Sequence, residues 1–282
     1  MPATTPDLPY RGPTAGRPGG LPLPPGRMPL LRGGRMLKRW RYVGAYGPEL
    51  MVCVASVQIG PARQAFWAVW DREAEELHER TLMRSGPVRL APGKVSVRDR
   101  GVEIELAFDE GPAIEVVSAH GSQYAWTRKQ APVRLRGTVD LGGTLHLIDQ
   151  PGIVDDSAGY HARHTVWQWS AGVGIGADGS SLAWNLVAGL HDAPAGSERT
   201  VWVDGVPHEV GPADFAADLS SVTFGGGERL AFAQESMRAR RDNRLVVVSD
   251  YAQPFGTFTG ELPEGIRVAE GYGVMERHDV RW

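Results

Sequence analysis

The sequence predicts an all-β protein, two tandem β-barrels behind a Pro/Gly-rich N-terminal arm. Three observations carry this. From Leu37 onward apolar and polar residues alternate, as in Val102-Glu103-Ile104-Glu105-Leu106 and Val133-Arg134-Leu135-Arg136, a period of two that gives a strand one buried and one wet face. Asp178-Gly179 and Asp204-Gly205 each sit between apolar runs, the strongest short-range hairpin signal. The chain also repeats itself. Trp40 and Tyr42 recur as Trp167 and Trp169 at an offset of 127 residues, and Trp70 recurs as Trp202 at an offset of 132. A repeat this long means duplicated domains rather than a solenoid, and closed barrels remove the edges that so many strands would expose.

Residues 1–34 read as the arm. Nine of the 21 prolines fall there, and such a segment neither ladders as a central strand nor holds a helix. Its start is expected to be disordered, its later part (LPLPPGRMPLL) to lie extended along the body, and residues 1–25 to be dispensable for folding. The N-terminal half is expected over 35–150. Asp71–Leu82 has helical propensity, but the repeat aligns Asp71-Arg72 with the turn at Asp204-Gly205, so a returning strand is expected over Glu76–Leu82. The five extra residues of the second offset are assigned to the loop around Gly196. The C-terminal half is expected over 151–282, with the boundary near Gln150–Val154.

Composition excludes several function classes. A net charge of -3 with interspersed signs leaves no electrostatic footprint for nucleic acid or an anionic membrane. No apolar stretch is long enough to span a bilayer, and no signal-peptide pattern opens the chain, so a cytoplasmic location is expected. The single cysteine, Cys53, lies in the apolar run MVCVASV and reads as a buried hydrophobe. Without CxxC, HExxH or a Cys/His cluster, no metal site is expected. There is no GxSxG elbow or phosphate loop, and Gly172–Gly176 has no helix pattern after it, so no cofactor is expected.

The runs KRWRYVGAYGPELM, FWAVWDR, YAWTRKQ, DDSAGYHARHTVWQWSAGVG, SERTVWVDG, QPFGTFTG and EGYGVMERHDVRW closely resemble the bacterial domain-of-unknown-function family 2804. More distantly, GTFTG followed by GYGVME is similar to the ending of the carotenoid 1,2-hydratase-like proteins. That resemblance implies two lipocalin-like (calycin) barrels in tandem and a hydrophobic small-molecule ligand. The hydratases' Trp-Asp-His-Gln run has no counterpart, DDSAGYHARH standing in its place, so the resemblance implies the fold and not the reaction.

Candidate site residues follow from strand geometry. On the last strand Tyr272, Val274, Glu276, His278, Val280 and Trp282 share one face. That face is apolar except for Glu276 and His278, which form either an acid/base pair or a structural hydrogen-bonded pair. The segment from Asp155 supplies Asp156, Tyr160 and His161, either an acid/base group at a barrel mouth or an Asx-turn joining the halves. Arg163, Trp167 and Trp169 then share a strand face and are candidates for ligand contact, with Tyr272. His161 and His164 fall on opposite faces of a strand, against a metal pair. Trp126 and Arg128 form either a subsite for an anionic group or a strand end with solvated charges. Asn185 either orients a ligand or caps a backbone group. The catalytic candidates are therefore Glu276, His278, Asp156, His161 and Tyr160. Three functions are compatible: a hydrophobic small-molecule hydratase, lyase, isomerase or cyclase working by acid/base catalysis; a carrier or sensor of such a ligand; or a carbohydrate-active protein with a Trp-lined cleft.

Overall fold

The computed structural model describes residues 8–83, 86–244 and 247–282. Among them there is no α-helix, and none long and apolar enough to cross a membrane. Strands β1 (Tyr10–Gly12), β2 (Leu31–Arg32) and β3 (Arg35–Met36) belong to the arm and its continuation. The N-terminal sheet is made of β4 (Lys38–Tyr46), β5 (Leu50–Ile59), β6 (Ala62–Asp71), β7 (Glu76–Leu82), β8 (Val88–Ala91), β9 (Lys94–Asp99), β10 (Val102–Ala107), β11 (Ile114–His120), β12 (Gln123–Leu141) and β13 (Thr144–Gly159). The C-terminal sheet is made of β14 (His164–Gly176), β15 (Ser181–Ala188), β16 (Thr200–Val203), β17 (Val206–Glu209), β18 (Ala213–Phe215), β19 (Ser221–Phe224), β20 (Arg229–Arg244), β21 (Val247–Leu262) and β22 (Ile266–Arg281). The expected strand over Glu76–Leu82 is present as β7.

The two sheets share one topology. The first runs β7-β6-β5-β4-β13-β12-β10-β9-β8, and the second runs β17-β16-β15-β14-β22-β21-β20-β19-β18. In each, the first strand of the half pairs with its last. The additions in the first half are β11 on β12 and β1 on β11. Residue correspondences follow from the ladders. Tyr46 stands opposite Met51 and Met51 opposite Trp70, whereas Val173 stands opposite Ala183 and Ala183 opposite Trp202. The 127 offset therefore holds on the first strand and the 132 offset on the next two. The five extra residues lie in the β14–β15 hairpin and not, as expected, in the loop around Gly196. That loop is irregular, but it spans the same length as the β5–β6 hairpin it replaces. The correspondence reaches single atoms. A Cβ on Gly152 of β13 would lie 1.9 Å from the Gly44 carbonyl oxygen, and one on Gly273 of β22 would lie 2.2 Å from that of Ala171. Each last strand crosses its first strand too closely for a side chain.

Three expectations need correction. The division near 150 falls inside β13, which continues to Gly159, and the change of sheet comes between Gly159 and His164. The sheets curl into half-barrels, but among the described pairings the edges β7 and β8, and β17 and β18, do not ladder with each other. Edge β17 is guarded instead by Pro207, His208 and Glu209, all exposed, which discourages pairing with another chain. The arm is docked from Leu8 onward; its first seven residues, with Pro2 and Pro6, lie outside the described residues. Tyr10–Gly12 fits between Pro9 and Pro13 and pairs with β11 at the sheet edge, where a short proline-free run can ladder. Elsewhere the prolines act as acceptors: Tyr124 Oη donates to the Pro22 carbonyl (2.6 Å) and Tyr160 Oη to that of Pro29 (2.7 Å). Leu23 and Met28 pack with Trp126, Tyr124 and Tyr160. Arg17 and Thr14 bind Glu115, which is wholly buried. Arg11 continues to the C-terminal half, donating to the Ser197 carbonyl (2.7 Å) and Thr200 Oγ1 (3.0 Å).

The strands β4–β6 and β14–β16 are buried on both faces, and each face has its own core. Val43, Val52, Val54 and Trp67 point into the first half-barrel with Ile104 and Leu135. Leu182, Trp184 and Leu186 point into the second with Phe232, Phe258 and Met275. The alternate residues Tyr42, Tyr46, Met51, Cys53, Trp70 and Ile153 meet Trp169, Val173, Trp202, Phe255 and Val274 in a third core between the halves. Strand β20 clamps this contact. Glu235 receives Trp70 Nε1 (3.0 Å) and the Arg72 guanidinium (2.6 and 2.7 Å), while Arg238 lies 2.8 Å from Glu79 and donates to Thr81 Oγ1 (2.9 Å).

Candidate functional site

The cavity of interest lies between the halves, not inside the C-terminal barrel where the alternation of β22 was expected to direct it. The second half-barrel is filled by aromatic and aliphatic side chains. The face of β22 bearing Glu276, His278 and Val280 looks toward the first half. There it helps enclose a cavity of about 160 Å³ walled by Trp40, Trp167, Phe66, Val57, Val187, Leu190 and Tyr251.

Glu276 is the centre of its polar wall. Trp167 Nε1 donates to Oε1 (2.7 Å), and Tyr251 Oη (3.0 Å) and Gln253 Nε2 (3.2 Å) donate to Oε2. Burial raises this carboxyl to about 7, with the neighbouring Asp155 charge adding to the rise, and together they outweigh the opposing pull of the Trp167 and Tyr251 donors and of Arg238. Protonation needs an acceptor for the new O–H. Trp167 has none, but the Tyr251 hydroxyl can turn and accept, so both protonation states can be satisfied. His278 packs on Trp167 (ring centroids 4.4 Å apart) and meets Ser249 Oγ at 2.8 Å. Burial lowers it to about 3, which keeps the imidazole neutral.

Asp155 occupies the matching place in the first half. It pairs with Tyr42 as Glu276 pairs with Trp169, and Tyr42 and Trp169 correspond. Both acids face the cavity. Their environments differ: Lys129 Nζ lies 2.6 Å from Asp155 Oδ1 and 3.2 Å from Glu198 Oε1, and all three groups are buried. Burial alone would lower Lys129, but the two carboxylates outweigh it and raise it; Asp155 is raised by burial and partly restored by Lys129. Asn185 holds this wall, accepting from Trp169 Nε1 (2.8 Å) and donating to the Glu198 carbonyl (3.0 Å). The indoles of Trp40 and Trp167 stack across the halves, their centroids 6.3 Å apart and their planes 6° from parallel.

The other sequence candidates are placed elsewhere. Asp156 points to the opposite face of β13 from Asp155. It binds Arg41 (2.9 and 3.1 Å) and lies 3.7 Å from Arg128, which also pairs with Glu110. Asp156 and Arg128 thus neutralise each other at the mouth of the first half-barrel. Trp126 donates to Glu115 (2.8 Å) beneath the arm, and Tyr160 is wholly buried there; neither reaches the cavity. Tyr272 binds Glu270 and lies under Arg72 on the far side of the clamp. Arg163 is exposed, and His161 is buried behind Trp40, with ring centroids 5.2 Å apart. His164 is exposed and pairs with Asp279 at 2.8 Å. Among the described residues no His/Cys/Asp/Glu cluster is suited to a metal ion.

Sequence reasoning passed over Trp40 as a site residue, singled out Lys129 only beside Arg128 as a possible anion contact or solvated strand end, and missed Glu198, Arg238 and Tyr251. Asp155 was legible from the repeat: extended to the last strands, it matches Asp155 with Glu276 at an offset of 121 residues. The remaining groups sit on interior strands whose pairing no local pattern reveals.

Two solved structures share this architecture. A Nitrosomonas europaea protein assigned as AttH is 12% identical, with 91% of this chain and 98% of that one covered at a TM-score of 0.56. Kievitone hydratase from Nectria haematococca is 10% identical, with 86% and 89% covered at a TM-score of 0.52. At such identities the likeness shows the fold, two tandem calycin-like halves. No curated protein matches the sequence. The family model described as a domain of unknown function, DUF2804, matches residues 88–282, and the chain belongs to that family.

Proposed function

We propose that the cavity between the halves binds a largely apolar small molecule and that Glu276 transfers a proton to or from it, as in a hydratase, lyase, isomerase or cyclase. The observation that carries this reading is a buried carboxyl raised to about 7, held by neutral donors beside the aromatic and aliphatic part of the cavity wall. At neutral pH such a group is present as both acid and base, the condition for general acid–base catalysis. Its neutral donors keep it oriented without fixing its charge, and this transfer needs no group beyond the protein. Asp155, already engaged by Lys129, supplies negative field rather than a free proton. One of the solved structures that share the fold is named as a hydratase, which agrees with the reading but does not carry it. A sugar would leave hydroxyls unpaired against Val57, Val187 and Leu190, at a desolvation cost, so the carbohydrate reading is the weaker one.

The test is native mass spectrometry of the wild-type protein and Glu276→Gln, purified from the natural source and exchanged into D2O. The expected result is a low-polarity molecule bound to both, with carbon-bound deuterium acquired only on the wild type. A molecule that is held but never exchanges in either would leave a carrier. Equal exchange in both would remove Glu276 from the chemistry.

A further inference from the structure

Beside the inner cavity a groove of about 790 Å³ opens toward solvent, and the two share Val57, Ile59, Gln64, Asp242 and Trp282 as walls. The inner cavity alone has room for little more than one ring, comparable to a cavity that takes up benzene. A larger ligand reaching Glu276 must leave its remainder in this groove.

The groove has an unbalanced charge. Arg35, Lys38, Arg63 and Arg163 line it, and the acid among its walls is Asp242, which is bound to Arg240 (2.5 and 2.9 Å). Lys38 is the telling residue. It is 3% exposed, and its ammonium donates to the His161 carbonyl (3.0 Å) and lies over the Trp282 ring (4.9 Å). No carboxylate pairs with it among the described residues. Arg35, which donates to the carbonyls of His120 and Tyr160 (2.8 and 3.2 Å), adds a second cation with no carboxylate partner among the described residues. Buried charges are ordinarily paired because an isolated one is costly. A second observation points the same way. His161, 1% exposed, lines the same groove, and neither of its ring nitrogens has a partner.

We propose that this groove takes the anionic head of the ligand, a carboxylate on a long or polycyclic hydrocarbon body, with Lys38 as its counter-ion and Arg35, Arg163 and the His161 N–H around it. The proposal rests on the apolar-ligand reading of the inner cavity and names the substrate class: amphipathic carboxylic acids. The body has a continuous aromatic wall to follow. His161 stacks on Trp40, Trp40 on Trp167, and Trp167 holds Glu276. Burial and the neighbouring Arg35 lower Lys38 to about 8, still charged at pH 7, and an arriving carboxylate relieves both effects.

The test uses the full chain and two fluorescent polyene probes, cis-parinaric acid and its methyl ester, titrated at pH 7. The acid is expected to bind roughly tenfold or more tightly than the ester, as for a charge-assisted pair in a desolvated site, and Lys38→Met should make the two equal. Should that variant not fold, Arg163→Gln alters an exposed side chain and is expected to weaken the acid alone by about two- to fivefold. Equal affinities for acid and ester in the wild type, or a preference that survives Lys38→Met, would overturn the anion site while leaving the apolar cavity standing. Binding of neither probe would overturn both.

Discussion

Replacing Glu276 by glutamine should change how stability depends on pH, by an amount the site geometry sets. In the unfolded chain this carboxyl titrates at its ordinary 4.5; in the folded protein burial raises it to about 7. A raised folded value means that folding favours the protonated form. The stabilising contribution is therefore complete below pH 4.5 and is lost as the pH rises through 7, where the folded protein must also ionise. A gap of about 2.5 units at 1.36 kcal/mol each gives about 3 kcal/mol in all, of which about 2–3 kcal/mol falls between pH 5 and 8. Glutamine keeps the shape and cannot ionise, so any cost of its altered hydrogen bonds to Tyr251 and Gln253 is the same at every pH. Urea unfolding of both proteins at pH 5 and pH 8 isolates the effect: the stability of Glu276→Gln relative to wild type should improve by about 2–3 kcal/mol at the higher pH. The neutral His278 and the other titrating groups are common to both proteins and cancel to the extent that they do not couple to residue 276. A relative stability that is the same at the two pH values would show that Glu276 is ionised throughout and would refute the acid–base argument at its root.

Two further outcomes follow from buried charge elsewhere. Lys129→Met should cost about 3–5 kcal/mol in chemical unfolding, because Asp155 and Glu198 would be left buried beside each other without their shared cation; a loss below about 1 kcal/mol would mean that water reaches them. Deleting residues 1–25 removes Arg17 and Thr14 from the wholly buried Glu115 and should lower Tm by roughly 5–15 °C. Adding Glu115→Gln to the deletion should recover part of that loss, and no recovery would locate the arm's contribution in its apolar contacts instead.

Much of the architecture was legible because strands advertise their faces. The alternation in β10 and β12, the turn dipeptides and the tryptophan offsets led to two related halves. They also overrode the helical propensity of Asp71–Leu82, which forms the β6–β7 turn and β7. What alternation cannot say is what a buried face is buried against. The face of β22 bearing Val274, Glu276, His278 and Val280 was identified as buried, yet it looks at the other half rather than into its own. A clue was present in Met51-Val52-Cys53-Val54-Ala55, a run apolar on both faces, which is how a strand reads when it is covered on both sides. The choice of Asp156 over Asp155 failed for a related reason. Adjacent residues on a strand face opposite ways, and only the ladder with Tyr42 shows which of the two shares the cavity with Glu276. Only the start of the arm was misjudged, because Tyr10–Gly12 is a proline-free run that ladders with β11 and Arg11, Thr14 and Arg17 are held by the body; the LPLPPGRMPLL run lies against the body as expected, its Pro22 and Pro29 carbonyls accepting from Tyr124 and Tyr160.

The stacked pair Trp40 and Trp167 marks a local pseudo-dyad, and a site on such an axis has a property that neither barrel has alone. Were the halves identical subunits of a dimer, any charge placed at the Glu276 position would appear twice, and two like carboxylates would face one small apolar chamber. Joining the halves in one polypeptide lifts that restriction. One copy of the position has become a saturated ion pair, Asp155 with Lys129, while the other keeps a carboxyl among neutral donors. Covalent linkage thus permits broken symmetry, with one acid set among neutral donors and its counterpart paired with a lysine.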